Sequence, residues 1–240
     1  SEKQREVLQN RVIQSLLTNL KMRFKNIALR LPVEVRDTRP FTWQGFKETH
    51  KYTYLKNLQN QDYHLNIKRI LKNKTATYWF KVAEWTQEVE EFHLKDLLSL
   101  GFKRSYIYQI LSSFKALHRK KKIIIFNGYL EEKLVGSDMV LIDEALGKAY
   151  MFLISKCQGQ YKEGFPAFMY DFAFNYLKNM GMKEVDLFGA NIEPIATYKS
   201  KFCPTLVDFF EVRYSRRLNA METLKKRLKE IVKTLLYYYD

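Results

Sequence analysis

The chain is poor in the residues that build stapled, loop-rich or membrane-embedded proteins. It has two cysteines, Cys157 and Cys203, in 240 residues. They lack metal-ligand spacing and any secretory context, so two free thiols in a reducing compartment are expected rather than a disulfide. Nine glycines and five prolines, with no low-complexity run, leave little room for a long flexible linker. No apolar window approaches the roughly 18 residues that span a bilayer. The opening Ser-Glu-Lys-Gln-Arg-Glu does not read as a secretory signal. A soluble, cytoplasmic protein without a transmembrane segment is therefore expected. The four histidines, His50, His64, His93 and His118, share neither metal-site nor catalytic-triad spacing, so no metal is expected.

Hydrophobic residues are plentiful, at 46%, and aromatic ones reach 15%, which is ample for a true core and excludes wholesale disorder. The length allows one full domain plus a fragment, or two small domains. Forty-one Lys and Arg against 26 Asp and Glu give a formal charge of +15. A field of that sign suits polyanions: tRNA, the phosphates of coenzyme A, a nucleotide-sugar precursor or an anionic membrane face. Scattered lysines also serve solubility, so charge alone names no ligand.

Periodicity divides the chain. Residues 3–24 carry Leu8, Val12, Leu16 and Leu20 at intervals of four, with Ile13 and Leu17 beside them, and read as an amphipathic helix. NIALRLPVEV alternates apolar and polar, a strand signal that Pro32 and Pro40 interrupt or end; HKYTYLK, about residues 50–56, is a second strand. A run of helices follows, with Gly101 as a stop signal inside it. From Lys122 the pattern changes to three consecutive antiparallel strands, with turns expected near Asn127-Gly128 and Leu146-Gly147. Then come a helix opened by Pro166 and closed by Gly181, the strand KEVDLFG, the helix EPIATYKSKF and the strand LVDFFEVRYS. Residues 218–239 read as a basic amphipathic helix ending in three tyrosines. This order predicts an α/β fold with a mixed sheet and crossover helices in its second half.

That layout resembles the GNAT (N-acetyltransferase) superfamily. Asn191, Ala196, Tyr198 and Phe202 follow the late strand-to-helix pattern of those enzymes, with Lys201 where a glycine would stand. Within the superfamily, VDLFGANIEPIATYKSKF resembles the FemABX-like branch through Asp186, Gly189, Tyr198, Lys199 and Phe202. Arg39 to Leu58 and Asn66 to Lys74 resemble further segments of that branch, so the likeness covers roughly residues 25–215. Members of the branch generally carry two such domains. The resemblance therefore divides the chain into residues 1–45 as the helix and strand ending a truncated or reduced first domain and 46–217 as the acyltransferase domain, followed by the basic amphipathic helix of 218–240.

The resemblance implies acyl or aminoacyl transfer to an amine of a small or peptidoglycan-precursor acceptor, with acyl-CoA or aminoacyl-tRNA as donor. Tyr198 is then the acid for the leaving group and Lys199 the cation beside the transferred carbonyl; the plainer reading is that Tyr198 packs and Lys199 is solvated. A donor phosphate loop would fall at Gln158, Gly159 and Gly164, where the glycines are few and Pro166 removes one N–H. Tyr52 and Tyr54, on one strand face, and Asn191 are candidates for the acceptor groove. Lys68, Arg69, Lys72 and Lys74, with His118, Arg119, Lys120, Lys121 and Lys122, suit contacts to tRNA phosphates or simply a solvated surface. Asp138 and Glu211 are possible bases, and nothing in the sequence prefers either. Two other classes stay open: a catalytically silent binding module of the same fold, and an RNA-binding protein suggested by charge alone.

Overall fold

The structure is a computed structural model, which describes residues 2–60, 62–73, 78–157, 159, 164–217, 219 and 221. Its helices are α1 (Glu2–Arg23), α2 (Arg39–Thr42), α3 (Leu65–Lys72), α4 (Gln87–Ser99), α5 (Arg104–Arg119), α6 (Phe165–Asn179) and α7 (Glu193–Ser200). Its strands are β1 (Asn26–Arg30), β2 (Lys47–Asn57), β3 (Tyr78–Ala83), β4 (Ile123–Leu130), β5 (Lys133–Asp143), β6 (Lys148–Lys156), β7 (Glu184–Asp186) and β8 (Thr205–Ser215). The chain forms two compact units, residues 1–51 with 208–240, and residues 52–207.

In the smaller unit β1 runs antiparallel to β8, from Asn26 opposite Ser215 to Arg30 opposite Glu211. Leu17, Ile27, Leu31, Phe41, Phe46 and Val212 form its core, joined by Ile13 and Leu20. The stripe expected on α1 is displaced. Leu8, Val12 and Leu16 are 63%, 60% and 54% exposed, while Leu17 is fully buried. Steps of four overshoot a turn of 3.6 residues, so a run at that spacing drifts round the helix; Ile13, Leu17 and Leu20 stay on one face. The basic helix expected at 218–239 lies outside the described residues except for 219 and 221.

The larger unit is a sheet in the order β2-β7-β6-β5-β4-β3. β6 and β7 are parallel, and the other neighbours are antiparallel. On β4, Ile123 and Ile125 face one layer while Ile124 and Phe126 face the other, as the two-residue period of a strand requires. One face buries Val89 and Leu97 of α4 with Ile107, Leu111 and Phe114 of α5. The other buries Ile67 of α3 and the apolar side of α6, from Phe165 to Leu177, together with Phe202. Thr86 opens α4 by accepting the Val89 N–H at 3.3 Å, with Glu88 and Glu90 in the first turn. Among the described residues no helix is long and apolar enough to cross a membrane.

Two expectations are corrected. Tyr78–Ala83 forms a strand inside the stretch read as helices. It is a six-residue edge strand at β4, too short for a two-residue period to stand out. Asn127-Gly128 is not a turn but the middle of β4; the reversal comes at Glu131, with φ of 55°. Gly128 pairs with Gly136 across the strands. A Cβ on Gly128 would lie 2.7 Å from Phe165, and one on Gly136 would lie 2.6 Å from it. These glycines let the first ring of α6 rest on the sheet. Gly136→Ala is expected to destabilise the larger unit by about 1–3 kcal/mol through overpacking, measurable as a lower urea midpoint with unchanged slope.

Candidate active site

The site begins where β6 and β7 part. Their pairing runs from Lys148–Glu184 to Tyr150–Asp186 and stops, while β6 continues to Lys156. Beyond Asp186 the chain turns sharply, since Phe188 and Gly189 both take left-handed backbone angles, φ 56° and 73°. Asp186 braces the turn: one carboxylate oxygen accepts the Phe188 N–H at 2.9 Å and the Thr53 hydroxyl at 2.5 Å. Phe188 pays a backbone cost that an unstrained loop would avoid. Gly189 has a second constraint, because a Cβ there would lie 2.6 Å from Ile195 and 3.2 Å from Lys199 Nζ.

The turn aims two carbonyls at one side chain. Lys199, 6% exposed on α7, donates from Nζ to the Leu187 carbonyl and, at 3.4 Å, to the Phe188 carbonyl. A lysine ammonium has three N–H donors, and these bonds use two. Burial above all pulls Lys199 down from its ordinary value to about 8, and Lys156 adds to this, while Asp138 and Asp186 oppose it. Lys199 is therefore not the solvated helix residue of the plainer reading. Tyr198 packs its ring on Phe202 (centroids 5.5 Å) and on Tyr170 (6.2 Å), with its hydroxyl turned inward.

The other candidates are distributed as follows. Asn191 accepts the Tyr52 N–H at 2.9 Å and donates to the Tyr52 carbonyl at 2.7 Å, tying the loop after β7 to β2. Tyr52 is 43% exposed, whereas Tyr54 packs against the core and its carbonyl accepts the Leu187 N–H. Lys68 on α3 pairs with Asp62 at 2.7 Å, and Arg69 beside it is exposed. Gly164 stands before α6 with φ of 96°, where a Cβ would meet Ile70 at 2.8 Å; close packing on α3 accounts for this glycine. Gly159 is exposed with φ of 75°, and Gln158 and Lys74 lie outside the described residues. Of the two possible bases, Glu211 lies in the smaller unit and accepts from Arg213, while Asp138 is fully buried in the larger.

Neither Lys156 nor Tyr170 stands out in the sequence as a candidate. Lys156 ends β6 with its ammonium 5.6 Å from the Tyr170 ring centre, and Tyr170 lies on α6, 1% exposed. Only the pairing of β5 with β6 and the cover of α6 bring them beside Asp138. Among the described residues no group of His, Cys, Asp and Glu is arranged to hold a metal ion.

No protein-family model matches this sequence, and no curated protein matches it. Solved structures do match its fold. FemX superposes with a TM-score of 0.57 at 12% identity, over 84% of this chain and 76% of that one. L-PGS from Bacillus licheniformis gives 0.50 at 14%, over 81% and 70%. A conserved protein of unknown function from Bacteroides thetaiotaomicron gives 0.59 at 13%, over 86% and 75%. The chain thus has the mixed α/β fold of GNAT-like acyl-CoA N-acyltransferases.

Proposed function

We propose that the larger unit is an N-acyltransferase domain with Lys199 and Tyr198 at its reaction centre. The observation that carries this reading is Lys199 itself: a buried ammonium at the divergence of two parallel strands, with two of its three N–H groups spent on Leu187 and Phe188. The third N–H is the donor for an acyl carbonyl. As the acceptor amine forms its bond to the carbonyl carbon, the C=O electron pair moves onto oxygen, and a fixed cation in a desolvated site stabilises that charge. Re-formation of the C=O expels the leaving group, which takes a proton from Tyr198; water takes the surplus proton from nitrogen and returns one to Tyr198.

The donor is an acyl-CoA or an aminoacyl-tRNA, and the acceptor an amine of a small molecule or cell-envelope precursor. The excess of positive charge suits either phosphate-bearing donor. A ligand that binds only the folded state raises the melting temperature. Thermal-shift measurement with acetyl-CoA, longer acyl-CoAs and aminoacyl-tRNA therefore tests the reading, and stabilisation by none of them would remove it. In active protein, transfer should decline as pH rises through about 8, because Lys199 then loses the proton it uses; a rate still rising at pH 9 would exclude that role. A second reading, a silent binding module, is favoured by Gly164, whose backbone serves packing on Ile70. Ligand-induced stabilisation without turnover would establish it.

A further inference from the structure

Within electrostatic reach of Lys199 lies a buried acid that the transfer scheme leaves unused. Asp138 on β5 is fully buried, and neither carboxylate oxygen has a hydrogen bond among the described residues. An ionisable group left so is costly, and native folds seldom keep one without a use.

The fold holds it firmly in place. Ser137 and Ser155 point to the α4 side of the sheet, where both hydroxyls meet the buried ring of His93, at 3.0 and 2.8 Å. Ser137 donates onward to Asn127 at 2.8 Å, and Asn127 to the Tyr129 hydroxyl at 3.1 Å. The two serines are thus clamped across β5 and β6. Their chain neighbours, Asp138 and Lys156, are thereby fixed on the opposite face, under α6. Burial lowers His93 to about 3, so the clamp is uncharged at neutral pH.

The charges around Asp138 come from every element packed on it. Lys156 of β6 and Lys199 of α7 act on its carboxylate, and its charge bears on Tyr170 of α6, which also feels Tyr198. Asp186 of β7 acts on Lys199, and Asp96 of α4 acts on Lys156 from the other face. Two lysines thus repel one another, and Asp138 is a negative charge that acts on both. We propose that Asp138 is a positioning residue acting through Lys199: it is the internal counter-charge that keeps Lys199 protonated against the repulsion of Lys156. Burial raises the Asp138 carboxyl to about 7, so both groups change charge near neutrality. The role of Lys199 in transfer rests on the acyltransferase reading, whereas the coupling of charges does not.

The test is an NMR titration of protein labelled with 13C at the lysine Cε, the Lys199 signal being assigned by its loss in Lys199→Met. In Asp138→Asn the Lys199 midpoint should fall below its wild-type position near 8, because an attractive charge is gone. In Lys156→Met it should rise, because a repulsive one is gone. Opposite movements are not expected of a residue that merely packs. An unmoved midpoint, or movement the same way in both variants, overturns the proposal. Should Asp138→Asn fail to fold, the same titration of Asp138→Ser, in which the Lys199 midpoint should likewise fall, decides in its place. Where transfer is measurable, the alkaline limb of the pH–rate profile should follow the same two directions. Midpoints that move as stated in a protein without transferase activity would sink the acyltransferase reading and leave the coupling standing.

Discussion

Lys199→Met should lower acyl transfer by about 10²–10³-fold, the usual cost of losing a donor to a developing oxyanion. Methionine keeps most of the buried volume and removes the ammonium. The loss should appear in kcat, with a smaller change in KM, because the developing charge exists chiefly in the transition state. Stability should change as well. The Leu187 and Phe188 carbonyls would lose the donor they share, at a cost of about 1–3 kcal/mol, offset in part by relief from burying a charge. Steady-state kinetics and thermal denaturation on the same preparation separate the two effects. Wild-type kcat in a folded Lys199→Met variant would remove Lys199 from the reaction centre.

Phe202→Ala should have the largest effect on stability. Phe202 is fully buried, with its ring 4.8 Å from Tyr170, 5.5 Å from Tyr198, 5.8 Å from Phe174 and 5.9 Å from Tyr63. Deleting a ring at such a centre costs about 3–5 kcal/mol, a large part of the 5–15 kcal/mol on which a typical domain depends. Tyr198 loses one wall of its seat in the same change, so residual transfer should be impaired even well below the melting temperature. Phe202→Leu, which restores much of the volume, should recover most of the stability. A melting temperature unchanged in Phe202→Ala would show that this aromatic cluster does not hold α7 to α6.

The fold was more legible than the site. Long periodic segments were readable because burial imposes their pattern: the apolar side of α6 is bracketed by Pro166 and Gly181, and three successive strands follow Lys122. The short edge strand Tyr78–Ala83 was not, because a half-covered strand of that length carries almost no alternation. Gly128 misled for a different reason. Asn-Gly is a turn signal only where the backbone must reverse, and this glycine instead makes room for Phe165. Among the candidates, Tyr198 and Lys199 stood out only through the resemblance of Asp186 to Phe202 to the FemABX-like branch. Lys156 and Tyr170 did not, since β-sheet register and helix cover join them to Asp138 across the sequence. Asp138 and Glu211 looked alike as acids; burial, the unit each belongs to and the bond from Arg213 to Glu211 separate them.

The loop after β7 is fastened at both ends, by Asp186 to the Phe188 N–H and by Asn191 to the Tyr52 backbone. The carbonyls that steer Lys199 therefore need no ligand to bring them into line. The entropic cost of ordering that segment is met during folding rather than at each binding event. A substrate would meet a rigid socket at this point. Amide exchange at Phe188 and Tyr52 should accordingly be slow in the ligand-free protein and scarcely slower with substrate bound, the reverse of what a loop that closes over its substrate would give.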